Sequence, residues 1–347
     1  MRTILELQKK LAPDMIDVLQ KRYTILRHIR YTGASGRRKL AEGLQMTERV
    51  LRAEIDFLKS QGLLVMDANG TSISEAGVTL LDEMMPMVKE WFGLLELEEQ
   101  IAKRYELRQV IVVPGDADHD IVTKRELGKA GATALTKAVA ASVLEEVEPL
   151  IVAITGGSTL VSVAEHLTPS PHLRGVLFVP ARGGLGESME LQSGTIAASM
   201  AKRTGGGYRL MHVPEDIGEE AVHSLLSEPN IREVSEIVRR AQIAVHGIGD
   251  ALEMARRRRV AEPIVEKLKD GGAVAESFGY YYDRDGHVVH RTPTIGLRLE
   301  DIERTHTVIA VAGGATKAEA IAALLHHGQE DILILDEAAA RKIVTYS

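Results

Sequence analysis

Residues 150–167 read LIVAITGGSTLVSVAEHL, and residues 307–325 read TVIAVAGGATKAEAIAALL. Each stretch is an apolar run, a glycine pair, a hydroxyl residue within two positions and then a helical pattern. Near-continuous Val/Ile/Leu runs bounded by glycine read as parallel strands buried on both faces. Glycine lets the backbone close on a ligand, and the N–H groups opening the next helix favour an anion, with the hydroxyl as a further donor. One such loop is a weak signal. Two on one sheet predict two phosphates, or a phosphate and another oxygen-rich end; the alternative is a pair of tight strand-to-helix turns.

Four more runs share the pattern: QVIVVPG (109–115), GVLFVPARGG (175–184), AQIAVHGIG (241–249) and DILILD (331–336). Helical text separates most of them. The expectation is an α/β, doubly wound, Rossmann-like parallel sheet over residues 96–347, with ligands where strand C-termini meet helix N-termini. Lys317 follows the second glycine pair, where the helix dipole disfavours a cation unless a phosphate neutralises it. In the loop Pro180-Ala181-Arg182-Gly183-Gly184-Leu185-Gly186, Arg182 offers a second phosphate clamp, and Gln192 ten residues on suits sugar hydroxyls. Arg256 to Arg259 follow the fourth run; for at least three of them a solvated basic face is expected. Residues 279–290, with three tyrosines, read as an edge strand or excursion, and Glu276 just before them is a possible acceptor for sugar hydroxyls.

Several chemistries are excluded. There is no Gly-x-x-x-x-Gly-Lys-Ser/Thr, and Leu252 stands where Gly247-x-Gly249 would need its third glycine for a dinucleotide fingerprint. The twelve histidines include no His-Glu-x-x-His, and no metal is expected. With no cysteine there are no disulfides, thiolate zinc sites or Cys nucleophile, which fits a cytoplasmic protein. The first residues mix charge and proline with apolar side chains, so no signal-peptide core is expected, and no apolar run is long enough for a membrane helix. Aromatics are 4%, which argues against stacking platforms for single-stranded nucleic acid.

Charge separates the two ends of the 347 residues. Residues 1–63 hold 13 Lys+Arg and 7 Asp+Glu, leaving 29 basic and 42 acidic residues for the rest. A basic N-terminus on an acidic body points to a polyanion partner for the N-terminus alone. Within 1–75 the spacing predicts a helix over 14–31, a short one over 37–42, and a third from Thr47 to Gln61 capped by Thr47. Leu51, Ile55 and Leu58 form the buried face of the third. LLVMDANGTSIS (63–74) then reads as a hairpin about Asn69-Gly70. This is a winged helix-turn-helix, whose third helix enters the major groove with its N-terminal side chains, here Thr47, Glu48, Arg49 and Arg52. Arg49 and Arg52 suit guanine, while Arg37, Arg38 and Lys39 suit phosphate. Between the domains, residues 76–95 carry Leu81, Met84, Val88, Trp91 and Leu95 at a/d spacing, interrupted by Pro86. That is either a dimerisation seam or a helix packed on its own domain. A dimer would call for a palindromic operator.

The stretches GRRKLAEGLQMTERVLRAEIDFLKSQGL (36–63), AITGGST (153–159), FVPARGGLGE (178–187), VHGIGDALEMARRR (245–258), ESFGYYY (276–282) and VAGGATKAEAI (311–321) together resemble SorC-type sugar-responsive transcriptional regulators. The resemblance implies a repressor, not an enzyme, whose effector domain shares the fold of sugar-phosphate isomerases and deaminases but binds the sugar without converting it. It implies fructose 1,6-bisphosphate as allosteric ligand, no cofactor, double-stranded operator DNA upstream of glycolytic genes, and an even-numbered homo-oligomer, a dimer or a tetramer on DNA. Its effector contacts fall on Gly156, Gly157, Ser158, Thr159, Arg182, Gln192, Arg257, Glu276 and Lys317. Ser158 stands where a second threonine is common in the family, and its hydroxyl keeps the donor. The alternative, an active isomerase or deaminase, needs a histidine soon after the glycines of the fourth run, where the text is Gly249-Asp250-Ala251-Leu252-Glu253.

Overall fold

The computed structural model describes residues 11–68, 70–142, 149–183, 188–213 and 218–346. The chain divides into two compact units, residues 1–95 and 96–347.

In the first unit a helix runs over Pro13–Thr32, opened by Pro13 and Asp14 and stopped at Gly33, where φ is +74°. Pro at the first helical position sacrifices no hydrogen bond, and glycine at the stop accepts the positive φ. Ile16, Tyr23, Leu26 and Ile29 are buried on one face. The helix Arg37–Gly43 adds Leu40 and Ala41 to the same core. The third helix, Glu48–Ser60, starts at Thr47, whose hydroxyl oxygen accepts the Val50 N–H at 3.4 Å. Leu51, Ile55 and Leu58 are at most 1% exposed, so cutting any of them to alanine should cost about 2–5 kcal/mol.

Strands β1 (Leu64–Asp67) and β2 (Gly70–Ile73) pair antiparallel with Asp67 opposite Gly70. Gly70, expected in the turn with Asn69, is instead the first residue of β2; Asn69 itself lies outside the described residues. Gly70 serves another purpose. At φ +125° a Cβ there would come within 2.6 Å of the Ser35 carbonyl, because Ser35 and Thr71 exchange backbone hydrogen bonds.

Of the two readings of 76–95, the helix Glu75–Trp91 follows the second, packing on its own unit. Leu81, Val88 and Trp91 are at most 5% exposed, and Met84 packs against the same cluster inside the first unit. Side chains that fill their own core are not available to a partner helix. Arg30 further ties this helix down through Asp82, with bonds of 3.0 and 3.1 Å.

The second unit contains β3 (Gln109–Val113), β4 (Ile151–Ile154), β5 (Leu177–Pro180), β6 (Gly207–Tyr208), β7 (Ile243–His246), β8 (Gly249–Asp250), β9 (Ala275–Ser277), β10 (Tyr280–Tyr282), β11 (Val288–Arg291), β12 (Thr307–Val311) and β13 (Ile332–Asp336). Seven form one sheet in the order β3-β13-β12-β7-β4-β5-β6, and every pairing in it is parallel. The six expected runs are all present, and β6 is an additional two-residue edge. After β4 the chain moves to β5, and after β7 it moves the opposite way to β12. Adjacent strands whose connections diverge leave a crevice at their carboxyl ends, here between β4 and β7.

Residues 279–290 are more than an edge excursion. They supply β10 and part of β11 in a second, antiparallel sheet of order β11-β10-β9-β8. Tyr281 from this sheet is fully buried against Ala251, Ala255 and Leu268, which fixes the helix Ala251–Arg257 and the arginines at its end. Among the described residues no helix is long and apolar enough to cross a membrane.

Candidate functional site

The crevice between β4 and β7 is a cleft enclosing about 860 Å3, open solvent at its mouth included. Gly156, Gly157, Ser158, Thr159, Arg182, Gln192, Arg257, Glu276 and Lys317 all line it, together with Arg258, Phe278 and the Gly247–Gly249 segment. Residues spread over more than 160 positions thus meet in one place. Among the described residues four cationic side chains face one carboxylate there, so the cleft is built for an anion.

The floor is the first glycine loop. A Cβ on Gly156 would sit 2.6 Å from the Leu191 carbonyl oxygen, and Gly157 adopts φ +112° while donating its N–H to that oxygen at 2.9 Å. The helix Ser158–His166 makes its first internal bond from the Val161 N–H to the Gly157 carbonyl. The N–H groups of Ser158, Thr159 and Leu160 come before that bond and lack an intrahelical acceptor. Gly157 has no side chain to cap them. An uncapped helix start, aligned with the dipole, is a ready anion site.

The second glycine loop corrects the two-loop expectation. The Gly314 N–H donates to Asp336 Oδ2 at 2.7 Å, and the same oxygen accepts the Ala117 N–H at 2.6 Å. The Thr316 N–H and hydroxyl both donate to Asp118, at 2.9 and 3.0 Å. Two carboxylates of the chain itself thus occupy the donors a phosphate would have used. Only Lys317 turns from this loop into the cleft. Its ammonium has no ion pair or hydrogen bond among the described residues, and burial draws its pKa below the ordinary value. Glu253 and Asp118 work against that shift, while Arg257 and Lys124 reinforce it.

Arg182, at the end of β5, is 3% exposed and lies against Gly279, where φ is +83° and any Cβ would collide with the guanidinium. The rest of its loop, Gly184, Leu185 and Gly186, lies outside the described residues. Glu276 on β9 is the counter-charge. One of its oxygens accepts from Arg258 at 2.8 Å and from the Gly279 N–H at 2.7 Å, with Arg182 at 3.6 Å. Burial alone would raise this carboxyl; Arg258, Arg182 and the N–H outweigh it and hold the pKa below the usual range. Glu276 therefore orients two arginines. Arg258 was not singled out by sequence, and the run 256–259 sends two members to the cleft rather than at most one. The helix ends at Arg257, so helical periodicity could not have chosen among them.

Behind the cleft, His246 is fully buried with Nδ1 2.8 Å from the Ser277 hydroxyl and Nε2 3.6 Å from Glu330 Oε1. Burial pushes the histidine down to about 4 and the Glu330 carboxyl up to about 8. At neutral pH both are uncharged, so the charges in the cleft are those of the arginines, Lys317 and Glu276.

In the first unit Arg37, Arg38, Arg49, Arg52, Thr47 and Glu48 are all exposed. Arg38 pairs with Glu42 at 3.2 Å, an exposed contact that water and salt weaken. On the other flank of the third helix, Glu54 accepts from Arg22 at 2.9 Å, and Arg22 lies 3.6 Å over the Phe57 ring. That flank is held by the first helix. Arg49 and Arg52 have no ion pair among the described residues and remain available. Thr47 is committed to capping.

A winged helix with a cationic recognition helix, carried on one chain with an anion-binding cleft, defines a ligand-responsive transcriptional regulator. Residues 18–88 match the family model described as "CggR N-terminal DNA binding domain", and residues 89–345 match that described as "Putative sugar-binding domain". The chain is 43% identical over 344 residues, 99% of each chain, to the Central glycolytic genes regulator of Priestia megaterium. It is 42% identical over the same share to that of Bacillus subtilis. The full-length Sorbitol Operon Regulator SorC of Klebsiella pneumoniae, 17% identical, shares the fold at a TM-score of 0.67 over 90% of this chain and 94% of that one. The chain belongs to the SorC family of sugar-binding transcriptional regulators. Its relatives are regulators and not enzymes, and the isomerase or deaminase reading is set aside.

Proposed function

We propose that this chain is a repressor of central glycolytic genes, released from its operator by a phosphorylated sugar, fructose 1,6-bisphosphate above all. The observation that carries the sugar phosphate is the cleft, where among the described residues four cations face one carboxylate around an uncapped helix start. The relatives named as central glycolytic genes regulators support the target. One phosphate would take the N–H groups of Ser158 and Thr159 with Lys317 and Arg257. The other would take Arg182 and Arg258, aimed by Glu276, with Gln192 on the sugar between them. The closed second glycine loop has no share beyond Lys317. Release is a matter of linkage: the sugar shifts the population only as far as it binds the DNA-incompetent arrangement better. The functional assembly is an even-numbered homo-oligomer on a palindromic operator, and its dimer contact lies outside the 81–91 seam.

Thermal unfolding with fructose 1,6-bisphosphate, fructose 6-phosphate and inorganic phosphate tests the ligand. A ligand at about 100 times its Kd adds ~2.7 kcal/mol, an upward shift of several degrees. The bisphosphate should shift the midpoint most and inorganic phosphate least. Equal shifts with all three would reduce the cleft to a single anion site, and no shift would remove it.

A further inference from the structure

The recognition helix Glu48–Ser60 presents more than arginines. Val50, on its first turn, is 45% exposed and lies outside the unit's apolar core. A single exposed aliphatic is ordinary on a protein surface. The position of this one is not. At 100° per residue Arg49 and Ala53 lie near the pole opposite Leu51, Ile55 and Leu58, with Arg52 on one flank and Val50 on the other. Phe57, the other large exposed apolar side chain of this helix, is covered by the Arg22 guanidinium. The Thr47 hydroxyl accepts the Val50 N–H, so the capping bond itself holds the first turn and the side chain it carries.

The apolar group that a base pair offers in the major groove is the C5-methyl of thymine. Arginines on this surface draw the helix to DNA but contribute nothing to recognising that methyl. We propose that Val50, with Ala53 one turn on, packs against a thymine methyl in each half-site and so determines part of the operator sequence, beside the guanines read by Arg49 and Arg52. This rests on the DNA-binding role of the first unit and adds a residue to it.

The test uses the full chain and a duplex recovered by in vitro selection with it. Each thymine is replaced singly by deoxyuridine, which removes the methyl and leaves every hydrogen-bonding group. Burying one methyl is worth about fourfold in affinity. Wild type should therefore lose about fourfold at one thymine per half-site. Val50→Ala should bind the unmodified duplex about as weakly as wild type binds the deoxyuridine duplex, and should be indifferent to that replacement. Its unfolding midpoint and its binding to random duplex should match wild type, since the side chain is exposed. The proposal is overturned if no deoxyuridine position weakens wild type, or if Val50→Ala still loses the same factor at the same thymine.

Discussion

The two glycine loops of the parallel sheet are near-copies in sequence and opposites in electrostatics. At Gly156-Gly157 the amides opening the next helix have no acceptor among the described residues, and cations surround them. At Gly313-Gly314 the Thr316 N–H, counterpart of the Thr159 N–H, already donates to Asp118, and the Gly314 N–H donates to Asp336 where the Gly157 N–H has the Leu191 carbonyl. Each of these carboxylates does inside the protein what a ligand phosphate would do from outside. The same motif can therefore be a binding site or a structural joint, and the difference is whether an internal anion is within reach. It also explains Gly314, where a Cβ would fall 2.1 Å from Asp118 Oδ1.

Giving the first loop a carboxylate of its own should produce the largest effect. Ser158→Asp places a charge at an exposed first helical position. Like charges about 4 Å apart near a protein surface repel by up to ~4 kcal/mol. Calorimetry should find sugar bisphosphate affinity reduced by on the order of a hundredfold. The same variant should unfold slightly later, because an acidic group at a helix start adds about 0.3–1 kcal/mol. Loss of affinity with a gain in stability separates repulsion from misfolding. An unchanged affinity would mean that the phosphate does not sit there.

Opening the second loop should act on stability instead. Asp336→Asn removes an acceptor shared by Ala117 and Gly314 and puts a donor near buried N–H groups. Urea unfolding should show a loss of about 1–3 kcal/mol. Sugar affinity per folded molecule should remain within about twofold. A tenfold loss of affinity at intact fold would make the second loop part of the ligand site after all.

The smallest effect concerns the neutral pair behind the first loop. Glu330, raised to about 8, keeps its proton in the folded state when the unfolded chain has released it, so stability falls as pH rises from 4.5 towards 8. His246, lowered to about 4, has the opposite sign and loses stability as pH falls from 6.5 to 4. The two nearly cancel between 4.5 and 6.5, leaving Glu330 alone above that. Glu330→Gln should therefore flatten the decline in Tm between about pH 6.5 and 8. A decline as steep as in wild type would place the titrating group elsewhere.

Much of this was legible because the signals were local. Thr47 as cap, the buried stripe Leu51-Ile55-Leu58, and the six apolar runs each depend on residues within one turn or strand of each other. The nine positions that the resemblance gives as effector contacts also line one cleft. What was not legible depends on distance. Asp118 reaches Thr316 across 198 positions, and nothing in Gly-Gly-Ala-Thr announces an occupant already in place. Leu81, Met84, Val88 and Trp91 left two readings open for a related reason, since a/d spacing marks an apolar stripe without saying whether its partner belongs to the same chain. Arg258 stayed hidden because its partner Glu276 comes from a sheet that the sequence suggested only as an excursion.

The central claim is that ligand bound at the first loop controls the hold on DNA. The direct measurement is fluorescence anisotropy of labelled operator, titrated with fructose 1,6-bisphosphate, for wild type and Lys317→Ala. Wild type should release the operator as sugar is added. The variant should bind operator as tightly without sugar and stay bound at concentrations at least tenfold higher. If Lys317→Ala releases at the same sugar concentration as wild type, the cleft is not the site of control.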